Sequence, residues 1–205
     1  MAGLAGRILP YAWGVSTLEI DYEALKVGQF ALKSVSGLTH DGTVFRVPEA
    51  DPHPPAMEVP TTIKDCVVYL TVPQRRQGAT EVDLTGAEQS ASRLRPAEIE
   101  ITDTMSQQKK PVTLGVGRLR LQFALAVDDL ADKLAIPVAR IIEVRPDKEI
   151  LLDRSFVPSC LDVRAAEPLN GFVGEMEGLL SHRMQAPMAG KSRRAVSTGP
   201  SSAPR

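Results

Sequence analysis

Apolar and polar residues alternate along Val15–Asp21, with Leu18 and Ile20 on one side and Thr17, Glu19 and Asp21 on the other. That period of two is the signature of a strand with one buried face. After a bend over Tyr22–Gly28 the alternation resumes, Phe30 and Leu32 opposite Ala31 and Lys33, which predicts a second strand returning beside the first. Asp41-Gly42 is a turn signal, because glycine accepts positive φ and an aspartate can bond its own backbone; Thr43–Val47 follows as a third short strand. Asp65–Val72 (DCVVYLTV) is apolar on both faces, as a central strand covered on each side would be.

Strict alternation returns in Ala97–Thr102 and over the longer Val116–Leu125, where Leu119, Leu121, Phe123 and Leu125 point inward and Arg118, Arg120 and Gln122 outward. Val138–Val144 and Glu149–Leu152 form a late hairpin around Arg145-Pro-Asp-Lys148, whose proline suits the first corner of a turn. Three connections separate these strands. Pro48–Pro60 holds five prolines and is predicted as a rigid surface segment, not sheet. Gly78–Arg95 is a long polar loop with room for a short helix, and Gln107–Pro111 is a loop.

From Pro168 the period changes to that of a helix, with Leu169, Phe172, Val173, Met176, Leu179, Leu180 and Arg183 on one stripe. Gly171, Gly174 and Gly178 each weaken such a helix by about 1 kcal/mol relative to alanine, so packing must stabilise it. The expected organisation is a mainly β, antiparallel sandwich over residues 1–167, a helix over 168–188 and a disordered, basic, Ser/Pro/Gly-rich tail over 189–205.

Composition narrows the function classes. The 205 residues carry a formal charge of −1, so no overall field draws the chain to nucleic acid or an anionic membrane. Aromatics are 4%, too few for the stacking platforms of single-strand binders. Cys66 and Cys160 sit in apolar contexts, which suits buried thiols in a reducing compartment. No signal peptide or apolar span of about 18 residues is visible, so a cytoplasmic location is expected.

No motif carries recognisable chemistry. Gly115-Val-Gly117 has Arg120 where a dinucleotide loop needs glycine, and Gly190-Lys-Ser192 lies in the polar tail without a preceding strand. Asp128, Asp129 and Asp132 lack a calcium-loop glycine and read more simply as a capped helix start. His40, His53 and His182 fall at no zinc spacing, and Glu98 and Glu100 alternate as the solvated face of a strand. Neither a metal nor a cofactor is expected. Trp13, beside Pro10-Tyr11, could stack on a sugar or partner, but it is expected to plug the open end of the β core.

The stretch PYAWGVSTLEIDYEALKVGQFAL (Pro10–Leu32), continued by SGLTHDGTVFRVP, resembles the amino-terminal region of the TssK (ImpJ/VasE) family of type VI secretion baseplate subunits. VYLTVPQRRQG, VDDLADKLAIPVARIIEV and LDRSFVPSCLDVRA match it too, in the same order, so the resemblance runs from Pro10 to Arg183. It implies a β-sandwich similar to the shoulder domain of phage receptor-binding proteins and no enzymatic activity. Full-length relatives are homotrimers that link the baseplate wedge to the membrane complex on the cytoplasmic side of the inner membrane, the shoulder toward the wedge.

By the same resemblance Tyr11, Trp13, Gly14, Asp41, Gly42, Pro137, Arg140, Phe156 and Pro158 are structural or assembly positions, and Phe172, Met176 and Leu179 are oligomer-helix candidates. The family continues through the helical stalk into a further domain, which implies a truncated member whose membrane-complex contact is lost. Baseplate wedge proteins are the expected partners, through the Pro-rich segment around His53 and the loop at Arg75-Arg76. Two other classes compete. One is a sandwich that grips carbohydrate or peptide with Tyr11, Trp13 or Tyr69; the other is a hydrolase that would set His40 or His182 against Cys66 or Asp153.

Overall fold

The computed structural model describes residues 11–76, 78, 81–83, 92–102 and 111–185. In chain order these form β1 (Gly14–Ile20), α1 (Tyr22–Lys26), β2 (Gln29–Phe30), β3 (Leu32–Leu38), β4 (Val44–Val47), β5 (Met57–Glu58) and β6 (Lys64–Pro73). β7 (Leu94–Thr102), β8 (Pro111–Leu119), β9 (Gln122–Leu125), β10 (Lys133–Val144) and β11 (Ile150–Leu152) follow, then a 3₁₀ turn (Val163–Ala165) and α2 (Glu167–Gln185). The expected tail and most of the Gly78–Arg95 loop lie outside the described residues, as do positions 107–110.

Two antiparallel sheets share one aliphatic core. The first runs β1-β3-β4 and the second β11-β10-β6-β9. Val15, Val35, Phe45 and Val47 of the first sheet join one buried cluster with Cys66, Val68, Leu70, Val72, Ile136, Val138 and Ile141 of the second. Phe30 sits within it, edge-on to Phe123 with ring centroids 5.1 Å apart. The mainly β, antiparallel class with one carboxy-terminal helix is therefore observed. β2 and β5 pair as a short clip, and β7 and β8 form a ribbon that is a sheet of its own.

Several local expectations are corrected. Val116–Leu125 is two strands: β8 ends at Leu119, and β9 begins at Gln122 in a different sheet. Between them Arg120 is buried, not outward, and its amide donates to the Arg93 carbonyl at 2.9 Å, so the chain turns inward where the alternation appeared unbroken. The bend at Tyr22–Gly28 holds the one-turn α1, because the Asp21 carboxylate caps the amides of Glu23 and Ala24.

The Pro-rich segment contributes sheet after all, through Met57 and Glu58, which keep their N–H groups and pair with Phe30 and Gln29. Pro111, expected in a loop, opens β8 opposite Thr102. β10 starts at Lys133, five residues before the predicted hairpin strand. Pro137 fits because a bulge interrupts the ladder to β6 between Pro137 and Ala139. Asp128 and Asp129 cap no helix; they accept from the amides of Leu125 and Ala131 in turns. The second face of β6, expected to be covered, is only half-buried at Val67 and Tyr69.

Candidate assembly surface

The aromatic opening of the chain is fastened to one corner of the sandwich. Gly14 has φ +130°, and a Cβ there would lie 2.3 Å from the Ser159 carbonyl oxygen. That closeness lets Val15 donate to Ser159 at 2.8 Å and accept from Leu161 at 2.7 Å, so β1 takes the 159–161 segment along its free edge. Across the sheet Gly37 leaves equal room, since a Cβ would meet the Gly14 carbonyl at 2.2 Å. Trp13 does not plug the core. It is half-buried and stacks on His40, ring centroids 3.6 Å apart and planes 29° apart, while Tyr11 is 88% exposed.

The Asp41-Gly42 turn beneath this stack is held from several sides. Thr39 donates its hydroxyl to Asp41 at 2.5 Å, the Thr43 amide donates to the same carboxylate at 3.2 Å, and Gly42 takes φ +81°. Arg93, only 3% exposed in its side chain, pairs with Asp41 at 2.8 Å and donates to Thr43 Oγ1 at 2.7 Å and the Pro73 carbonyl at 2.8 Å. One guanidinium thus ties the β3–β4 turn, the end of β6 and the root of β7. Burial pushes the Asp41 carboxyl up, but hydrogen bonds from Thr39 and Thr43 and the Arg93 charge outweigh it and hold the group below its ordinary range. For His40 burial prevails over the nearby Asp41 charge and lowers the imidazole.

Arg140 organises the opposite end. Its guanidinium bridges Asp65, with Nε donating at 2.6 Å, and approaches Asp153 at 3.6 Å, while the Asp153 amide donates back to the Arg140 carbonyl at 2.8 Å. The Asp153 carboxylate accepts from the hydroxyl and amide of Ser155, at 2.6 and 2.9 Å, and those bonds hold it below the usual carboxylate range. Phe156 donates its amide to the Asp153 carbonyl at 3.2 Å, and Pro158 is buried just before the Ser159 anchor. Phe156 and Pro158 line a groove of about 460 Å³ between β1, α1, β11 and the start of α2. Asp162, pulled down to about 2 by the Arg164 side chain that binds it, starts the 3₁₀ turn there.

The resemblance positions therefore fall into two knots. Gly14 abuts Ser159 at the edge of β1, Phe156 and Pro158 line the groove beside it and Pro137 and Arg140 lie on β10, while Trp13, Asp41 and Gly42 gather at the turn and Tyr11 stays exposed. Phe172, Met176 and Leu179 stand apart from both, exposed along α2. The two predicted contact loops are engaged with the fold: His53 Nδ1 lies 3.2 Å from the Leu32 carbonyl, Arg75 pairs with Glu81, and Arg76 with Asp132.

Sequence reasoning missed Arg93 and Asp51. Asp51 is buried, accepts the amides of Arg46 and Leu119, and fastens the Pro-rich segment to the end of β8. Polarity at both positions reads as surface, and only the fold shows otherwise.

The arrangement offers contact faces. His40 is stacked on Trp13, the buried Cys66 thiol lies 3.7 Å from the Val67 carbonyl, and Asp153 is taken by Ser155 and Arg140. His182 is exposed on α2, and among the described residues no bond joins either histidine to Cys66 or Asp153. Among the described residues, no three of His, Cys, Asp and Glu are grouped to hold a metal ion, and no helix is long and apolar enough to cross a membrane.

Comparison with known proteins agrees with this architecture. A family model described as Bacterial Type VI secretion, VC_A0110, EvfL, ImpJ, VasE matches residues 1–203. The type VI secretion system baseplate component TssK1 of Pseudomonas aeruginosa is 34% identical over 191 residues, 92% of this chain and 42% of that protein. A crystal structure of TssK superposes with a TM-score of 0.78 at 29% identity, covering 92% of this chain and 42% of that one. A chain of the TssK-TssF-TssG baseplate subcomplex, 21% identical, shares the fold with a TM-score of 0.77 over 92% of this chain and 63% of its own. The chain spans less than half the length of the curated relative it matches. A match along nearly the whole chain, in an antiparallel sandwich closed by one helix, makes this chain a member of the ImpJ/VasE (TssK) family of bacterial type VI secretion.

Proposed function

We propose that the chain is a non-catalytic structural component of a type VI secretion baseplate, located on the cytoplasmic side of the inner membrane, that docks onto the wedge subunits. The observation that carries this reading is the 34% identity to a baseplate component over 92% of the chain. Residues 1–167 serve as the docking block and 168–188 as the start of a stalk. Trp13, Gly14, Asp41, Gly42, Pro137, Arg140, Phe156 and Pro158 act by fixing the block's corners, since their contacts run to other parts of the same chain. Phe172, Met176 and Leu179 are the face through which copies would associate as a trimer. Membrane-complex contact belongs to regions of the longer relatives that this chain does not match.

The test is co-purification of the chain with TssF and TssG proteins from the same source, followed by a mass measurement of the complex. A stable complex of defined stoichiometry is expected. A chain that elutes alone at micromolar concentrations of all three contradicts the proposal.

A further inference from the structure

The β7–β8 ribbon carries a second surface that the family resemblance does not single out. The register sets Arg95, Ala97, Ile99 and Ile101 opposite Arg118, Val116, Leu114 and Val112, so these eight side chains share one face. The reverse face carries Leu94 and Leu119 at its root, then Glu98 and Glu100. On the first face Ile101 is 43% exposed, Val112 51% and Leu114 45%, although the strands are well formed. A two-stranded ribbon is marginal in water until something packs on its apolar face. Its root is nonetheless firmly seated: Arg93 is bonded on three sides, the Leu119 amide donates to Asp51 at 3.0 Å, and Val82 bridges Leu94.

Charge identifies what that face would take. Arg95 and Arg118 lie directly opposite each other at its rooted end, an arrangement of like charges that a sheet disfavours. Arg118 donates one guanidinium nitrogen to the Ala50 carbonyl, and no carboxylate among the described residues pairs with either arginine. The carboxylates of Glu98 and Glu100 project from the other side and cannot reach them. A second copy of the ribbon laid face to face in the same sense would bring four arginines together. An anionic lipid surface would draw in the arginines but repel the glutamates on the same narrow ribbon.

We infer that this face docks an amphipathic segment of a wedge protein, its apolar residues over Ile99, Ile101, Val112 and Leu114 and a carboxylate against Arg95 and Arg118. This rests on the baseplate reading and names the surface that serves it.

The test uses the full 205-residue chain and its cognate TssF–TssG, by equilibrium titration at two salt concentrations. The double variant Ile101→Ser/Leu114→Ser and the single variant Arg95→Glu should each weaken binding at least tenfold. Glu100→Lys on the reverse face should stay within twofold. Arg95→Glu removes a like-charge pair, so its folding is not threatened, and an unchanged melting temperature verifies this. Wild-type binding that both ribbon variants leave unaltered overturns the docking surface while the baseplate reading stands. Absence of any wild-type binding overturns the reading and the surface together. Ribbon-dependent binding to vesicles of phosphatidylglycerol, with TssF–TssG binding unaffected, would assign the face to lipid and equally overturn the inference.

Discussion

The sandwich and the ribbon are built from the same alternating pattern, yet they differ in what covers their apolar faces. Leu70 of β6 is 1% exposed, flanked by β10 and β9 and facing the opposite sheet, whereas Leu114 of β8 is 45% exposed and has one neighbouring strand. Identical residue types in identical secondary structure thus do opposite work: one holds the fold together and the other is available for contact. α2 belongs with the ribbon, since Phe172 (60%) and Leu179 (62%) are exposed on a helix weakened by three glycines. The difference teaches that the fold confines its stability to two sheets and leaves its projections incomplete.

The strongest way to break the comparison is at the seam where β1 is fastened. Gly37→Val or Gly14→Ala forces a side chain onto backbone at 2.2 or 2.3 Å, and Gly14 adds a strained φ. Each should destabilise the chain by about 3 kcal/mol or more in chemical denaturation. Leu70→Ala should cost about 3 kcal/mol, whereas Leu114→Ala should stay within about 0.5 kcal/mol; equal losses would erase the distinction between covered and open faces. Arg93→Ala leaves Asp41 and the Pro73 carbonyl without their buried donor and should cost about 2 kcal/mol, read as a lower denaturation midpoint.

The smallest effect is in pH. His40 has a lowered pKa in the fold, so the unfolded chain binds its proton first, and stability falls as pH drops below the unfolded value of about 6.5. Asp41 works in the same direction lower down: its depressed pKa contributes stability above about pH 4 that is lost as pH falls through the folded value. His40→Asn should flatten the first decline and leave the second, as followed by thermal melts across about pH 2 to 8.

Much of the sandwich was legible because burial on one face imposes a period of two. β1, β3 and β4 follow it, while β6 was legible as a run apolar on both faces and the β10–β11 hairpin from the turn at Arg145–Lys148. The signal failed where the partner of a face changes without a change of period. Val116–Leu125 alternates throughout, but its first half faces solvent in the ribbon and its second half enters the sandwich, so Arg120 is buried at the crossing. The two-residue β5 is too short to show a period, and its prolines argued against it. For the proposed assembly surface, motif resemblance led to residues at the corners of the sandwich, and register was needed to show that Arg95 and Arg118 lie opposite each other at the end of an apolar face. Trp13 drew attention as a large aromatic, but its partner His40 lies 27 positions away, a distance no local pattern bridges.

The central claim, a self-sufficient sandwich bearing incomplete projections, is tested most directly by amide hydrogen exchange on the chain alone and with TssF–TssG. Amides of β6 and β10 should exchange slowly in both states, while those at the outer end of β7–β8 exchange fast alone and become protected in the complex. Ribbon amides as slow as those of β6 in the isolated chain, or a complex in which they gain no protection, would contradict it.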